Sequence, residues 1–182
     1  MKKAYVYLID GFEEIEATTI LDVLRRSGVK VASVSLSETK KVRGDHGIII
    51  EADKLLSEAN YTDVDMLILP GGDLASHNLL HHDSLHNQLK EAESKGKYIA
   101  AICGATMTLG KVGLTKGKKA TCYPGIESEI TGATILKQDV VVDGKIVTSR
   151  GPATSFSFAL EIAKLLTEEE TVNEVSKGLL IN

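Results

Sequence analysis

The chain has 182 residues, enough for one domain with a single buried core. Its 21 Lys and Arg against 25 Asp and Glu leave a net charge of −4, and with no Trp and eight Tyr and Phe it lacks the basic field and stacking platforms of a nucleic-acid binder. No apolar run approaches the ~18 residues of a membrane span, the apolar run after Lys3 is short for a secretory signal, and two cysteines make no disulfide framework, so a soluble protein of the reducing cytoplasm is expected.

In chain order, the apolar run 4–9 predicts a first strand and 13–27 a helix stopped by Gly28. Runs 29–36 and 66–69 read as further strands, the latter ended by Pro70. A helix over 83–95 opens on Asp83 and stops at Gly96, and 98–102 returns as strand. Asp143-Gly144 between the apolar runs 140–142 and 146–148 predicts an antiparallel hairpin. Helices follow over 152–166, with Pro152 in its first position, and over 168–177, with Thr167 as cap and Glu170 three residues on. The runs 66–69 and 98–102 do not alternate, which marks strands buried on both faces. Strands alternating with helices of this length predict one α/β domain over 1–182 with a mostly parallel sheet and a late antiparallel hairpin. In such sheets, ligands bind beyond the carboxyl ends of the strands.

Three strand ends carry candidate chemistry. After the first, Glu13 and Glu14 suit the positive end of a helix. Glu16 differs, because at about 100° per residue it sits on the shoulder of the Ala17, Ile20, Leu21, Val23 and Leu24 stripe. A carboxyl facing the sheet resists ionisation and has a raised pKa; the alternative is a side chain that snorkels to water. After the second, Pro70-Gly71-Gly72 frees backbone N–H groups to approach a ligand, although such a turn can simply reverse the chain. At the third, Cys103 stands where a buried strand meets a helix start, and Gly104 permits a sharp turn. Free N–H groups there favour the thiolate. An inert buried cysteine is the alternative, and it is the reading taken for Cys122, placed within a strand over 119–124. His77, His81, His82 and His86 include two i,i+4 pairs, but no third ligand matches them, so they are read as solvated surface and not as a metal site. Ile15 lies opposite the apolar stripe and is expected at a two-fold contact of a homodimer.

Five segments in register, Glu-Glu-Ile-Glu (13–16), Asp-Val-Leu-Arg-Arg (22–26), Leu-Pro-Gly-Gly (69–72), Ala-Ala-Ile-Cys (100–103) and Thr-Ser-Arg-Gly-Pro (148–152), resemble the ThiJ/PfpI superfamily. The chain is most similar to the branch of the Parkinson-disease protein deglycase, over nearly its whole length and including the C-terminal helix. The resemblance implies a flavodoxin-like α/β/α sandwich and a homodimer. It implies that Cys103 is a reactive cysteine on a strained elbow, hydrogen-bonded by a protonated Glu16 and flanked by the Gly72 and Gly104 donors. It implies a cofactor-independent glyoxalase or deglycase acting on methylglyoxal-type dicarbonyls or glycated adducts, or a redox sensor or chaperone working through Cys103 oxidation. Two positions depart from the wider pattern. Tyr123 stands where animal members carry a histidine, which leaves proton transfer to Glu16 and makes Tyr123 a substrate-orienting residue. Gly104 replaces the histidine of the protease branch, so an amidase or peptidase ranks last. Gly71, Gly72, Gly104 and Tyr123 are the expected oxyanion and substrate-binding positions.

Overall fold

The computed structural model describes residues 1–181. In chain order its strands and helices are β1 (Lys3–Leu8), α1 (Glu14–Arg26), β2 (Lys30–Ser35), β3 (Lys41–Arg43), β4 (Ile49–Glu51), β5 (Lys54–Leu55), β6 (Met66–Leu69), α2 (Asp73–Leu79), α3 (Asp83–Ser94), β7 (Tyr98–Ile102), α4 (Thr106–Lys111), β8 (Lys119–Ala120), β9 (Thr134–Ile135), β10 (Val140–Asp143), β11 (Ile146–Ser149), α5 (Ser155–Leu166) and α6 (Glu169–Gly178). Seven strands form one sheet in the order β10-β11-β7-β6-β1-β2-β5. Every pairing in it is parallel except that of β10 with β11, the hairpin expected around Asp143-Gly144.

The alternation of side chains along each strand divides the core into two layers. Ala4, Val6, Leu8, Ile68, Ala100 and Ile102 point to one face, where they pack with Ile20, Val23 and Leu24 of α1 and Phe158, Ile162 and Ala163 of α5. Tyr5, Tyr7, Leu67, Leu69, Ile99 and Ala101 point to the other, against Leu85 and Leu89 of α3 and Leu109 of α4. Helices cover both faces, as the doubly buried runs 66–69 and 98–102 required. The sandwich is flavodoxin-like.

Several local expectations are corrected. Thr167 ends α5 and makes no cap for α6, whose first position is preceded by Glu168. The N-cap of α3 is His82, whose ring accepts the Leu85 N–H at 3.2 Å, and not Asp83. His86 is buried, with Nε2 2.8 Å from the Leu79 carbonyl oxygen, so the solvated-surface reading fails for it. α2 stops at Leu79 and α3 begins at Asp83, so His77 and His81 do not share a helix. Cys122 is buried in a small satellite core with Ala120 and Ile130, as expected, but it follows a strand that ends at Ala120. No helix among the described residues is long and apolar enough to cross a membrane.

Candidate active site

The carboxyl ends of β1, β6 and β7, adjacent in the sheet, bring the three candidate segments together. β7 runs into Cys103, which adopts φ +60°, a region that a non-glycine residue enters only under constraint. A single 3-10 turn (Cys103–Ala105) then leads into α4, which has six residues. The strain of the elbow therefore sits on Cys103 itself. Gly104 is not needed for a special φ; a Cβ there would overlap the Ser76 side chain.

Glu16 reaches this elbow from the first turn of α1. It is fully buried, so of the two readings open for this shoulder position the sheet-facing one holds and the snorkelling one does not. Glu13 caps the helix with Oε2, which accepts the Glu16 N–H at 2.7 Å. The Gly71 N–H donates to Glu16 Oε2 at 2.7 Å, while Oε1 has no hydrogen-bond partner among the described residues. Gly71 is glycine because a Cβ there would lie 2.7 Å from Cys103 Cβ and 3.0 Å from Glu16 Oε2. This corrects the expected role of Gly71: its N–H is held by Glu16 and is not a free donor for substrate. Gly72, at φ +110°, packs so tightly on the 11–13 backbone that any side chain would overlap Gly11 O.

Burial pushes the Glu16 carboxyl up to about 7; the Gly71 N–H and the Cys103 thiol oppose this, and the Glu13 charge adds to it. Burial also pushes the Cys103 thiol up to about 12, helped by the charge of Glu16, while the Gly104 and Gly72 N–H groups pull it down. The expectation that the helix start alone gives an acidic thiol is therefore overturned. A six-residue helix behind a 3-10 turn offers little dipole, and burial of the thiol, with the charge of Glu16 second, outweighs it. The charge of Glu16 resists ionisation of Cys103, so carboxyl and thiol titrate as a coupled pair. When Glu16 is protonated, the charge that opposes a Cys103 thiolate is removed.

Half-buried Cys103 opens onto a cavity of about 410 Å³. Gly72, Gly104 and Tyr123 line it, and Tyr123 is half exposed. The wall also carries residues not foreseen as site residues: Glu13, Asp45, Asp73, Ser76 and His77. Asp45 arrives on a loop stitched to the 11–14 segment, where its N–H donates to Phe12 O at 2.9 Å and the Gly11 N–H donates to Arg43 O at 2.7 Å. Buried Glu14 pins the same loop by accepting the His46 N–H at 2.7 Å and the Ile48 N–H at 3.3 Å. Its Oε2 lies 3.0 Å from His46 Nδ1. The ligand-type atoms of Glu13, Glu14 and His46 lie within 4.8 Å of one another. Both carboxylates, however, already accept backbone N–H groups there, and this local hydrogen bonding accounts for the cluster.

This strained cysteine against a buried carboxyl, at the strand ends of a parallel α/β sandwich, belongs to a recognised class. The model of the DJ-1/PfpI family matches residues 2–165, and the chain belongs to that family. It is 40% identical to protein dj-1beta of Drosophila melanogaster, covering 99% of this chain and 97% of that one. It is 34% identical to the Parkinson disease protein 7 homolog of Danio rerio, covering 99% and 97%. Among solved structures, Drosophila melanogaster DJ-1beta superposes with a TM-score of 0.95 at 38% identity, covering 100% of this chain and 98% of that one. Toxoplasma gondii DJ-1, solved in an oxidised form, gives 0.94 at 34% identity, covering 99% and 98%.

Proposed function

We propose that the protein is a cofactor-independent cysteine enzyme that converts methylglyoxal-type dicarbonyls, or their adducts, to 2-hydroxy acids. The observation that carries this reading is a fully buried Glu16 carboxyl, raised to about 7, at the elbow of a half-buried Cys103 that opens onto a cavity, with the Gly72 and Gly104 N–H groups beside the sulfur. The Cys103 thiolate adds to the aldehyde carbon, forming a C–S bond, and the carbonyl electron pair moves onto oxygen. Glu16 protonates that oxygen, and the resulting carboxylate removes the proton from C1 and returns it to C2, while the hydroxyl proton on the C1 oxygen passes to the C2 oxygen. The product is a thioester of the 2-hydroxy acid, and water cleaves it to release the acid and the thiol. Overall, one dicarbonyl and one water give one hydroxy acid. Gly72 and Gly104 stabilise the oxyanion, and Tyr123 on the cavity wall orients the substrate. The test is lactate formation from methylglyoxal by purified protein, with Cys103→Ser expected to abolish it.

One observation favours a second reading, redox sensing through Cys103. The sulfur is open to the cavity, and the related Toxoplasma gondii protein was solved in an oxidised form. A sulfinic acid on Cys103 would be held by a protonated Glu16 and the same two N–H groups. Mass spectrometry of the Cys103 peptide at low peroxide separates the two readings. A peptidase has the weakest support, since Gly104 supplies no base beside the nucleophile. As a further part of the reading, Ile15, 55% exposed on α1, seats a two-fold contact together with Ile48 and Ile49.

A further inference from the structure

Ser76 faces inward from α2 and is 3% exposed, and its hydroxyl has no hydrogen-bond partner among the described residues. Buried hydroxyls are seldom left so, because the lost hydration is not recovered. Ser76 is one of the residues lining the cavity that holds Cys103. A Cβ at position 104 would overlap its oxygen, so glycine there keeps the hydroxyl directly against the elbow backbone.

The backbone donors beside the sulfur have other partners. The Gly71 N–H is held by Glu16, and the Gly72 and Gly104 N–H groups act on the sulfur of Cys103. Glu13, Asp45 and Asp73 also line the wall, but an ionised carboxylate accepts and does not donate. A dicarbonyl carries two oxygens. The first, on the carbon attacked by sulfur, falls to the two glycine N–H groups. The second, one carbon further on, needs its own donor; Tyr123 and His77 also line the wall, but Ser76 is the side chain whose oxygen packs against Gly104 at the elbow.

We propose that the Ser76 hydroxyl donates a hydrogen bond to this second oxygen, and so selects α-oxo aldehydes over simple aldehydes. The proposal rests on the dicarbonyl reading of the Cys103–Glu16 pair. In the ground state the acceptor is the C2 carbonyl oxygen. When the C1 proton leaves, negative charge passes to that same oxygen in the enediolate, and the hydrogen bond strengthens. No proton need leave Ser76.

The experiment measures how well an aldehyde protects Cys103 from iodoacetamide, read on the Cys103 peptide by mass spectrometry. Wild type and Ser76→Ala are each tested with methylglyoxal and with propionaldehyde, which lacks the second oxygen. Without ligand, both proteins should alkylate at the same rate. Ser76→Ala should need about 5-fold more methylglyoxal for half protection, the worth of one neutral hydrogen bond. Propionaldehyde should protect both proteins equally. Removing an unpaired hydroxyl should leave the melting temperature unchanged or higher, so loss of fold is not the expected confounder. Equal methylglyoxal protection in the two proteins overturns the role of Ser76 and leaves the dicarbonyl reading standing. Equal weakening towards both aldehydes also overturns it, since that marks a general disturbance. A wild type that methylglyoxal does not protect removes the dicarbonyl reading, and this proposal with it.

Discussion

Replacing Glu16 by Gln tests the buried carboxyl through stability as well as activity. The amide keeps the shape, can still accept the Gly71 N–H, and carries no ionisable proton. In the folded wild type, burial pushes the carboxyl up to about 7, against 4.5 for an ordinary glutamate. Between those values the folded state binds the proton more tightly than the unfolded chain, so stability falls as pH rises. At about 1.4 kcal/mol per pH unit, the wild type should lose roughly 3 kcal/mol between pH 4.5 and pH 7 through this group. The full contribution is present below pH 4.5 and is gone above the folded value. Glu16→Gln should lack this slope. Urea denaturation of both proteins at pH 5, 6, 7 and 8 reads the difference directly, because other titrating groups cancel. A wild-type advantage that shrinks towards pH 8 is expected; parallel curves would show that Glu16 ionises as an ordinary carboxyl and would refute the paired titration.

Three further outcomes are expected. The cavity wall carries Glu13, Asp45 and Asp73 and, among the described lining residues, no Lys or Arg, so Cys103 should react faster with a cationic methanethiosulfonate than with an anionic one after correction for free-thiol rates. Asp45→Asn combined with Asp73→Asn should narrow that ratio several-fold, as should raised salt; an unchanged ratio would show that the carboxylates do not select charge. Gly104→Ala should lower stability by about 1–3 kcal/mol in denaturant melts, because its methyl group overlaps Ser76; an unchanged midpoint would mean that the elbow has room to spare. Ile15→Asp should move the sedimentation profile from dimer to monomer, and a wild type that already sediments as a monomer ends that assignment.

The sheet and its doubly buried strands were legible because burial leaves a pattern over four or more residues. Glu16 was legible for the same reason, being a carboxyl on the shoulder of an apolar helical stripe. The elbow at Cys103 followed from a buried strand ending in a thiol and small residues. What periodicity cannot carry is the partner of a group far away in the chain. The bond from Gly71 to Glu16 spans 55 positions, and nothing local to Pro70-Gly71-Gly72 says which glycine N–H is already taken. Strands of two or three residues, such as β5 and β8, are too short to show a period. Ser76 has no sequence signal, and His77 reads as solvated surface, until the fold makes 73–79 into α2 and sets Ser76 against the elbow. An orphaned hydroxyl is a property of three-dimensional packing and leaves no sequence signal. The raised thiol has a related reason, since the rule for helix starts says nothing of how deeply the fold buries the sulfur.

The central claim is that Cys103 and Glu16 divide the chemistry, sulfur forming the adduct and carboxyl moving the proton. Its most direct test is native mass spectrometry and lactate release measured on the same samples of wild type, Glu16→Gln and Cys103→Ser with methylglyoxal. Wild type should turn over. Glu16→Gln should carry one methylglyoxal on Cys103 yet release lactate ~10²-fold or more slowly, the usual contribution of a positioned acid–base group. Cys103→Ser should do neither. Undiminished lactate release by Glu16→Gln, or any sustained release by Cys103→Ser, would contradict this division of roles.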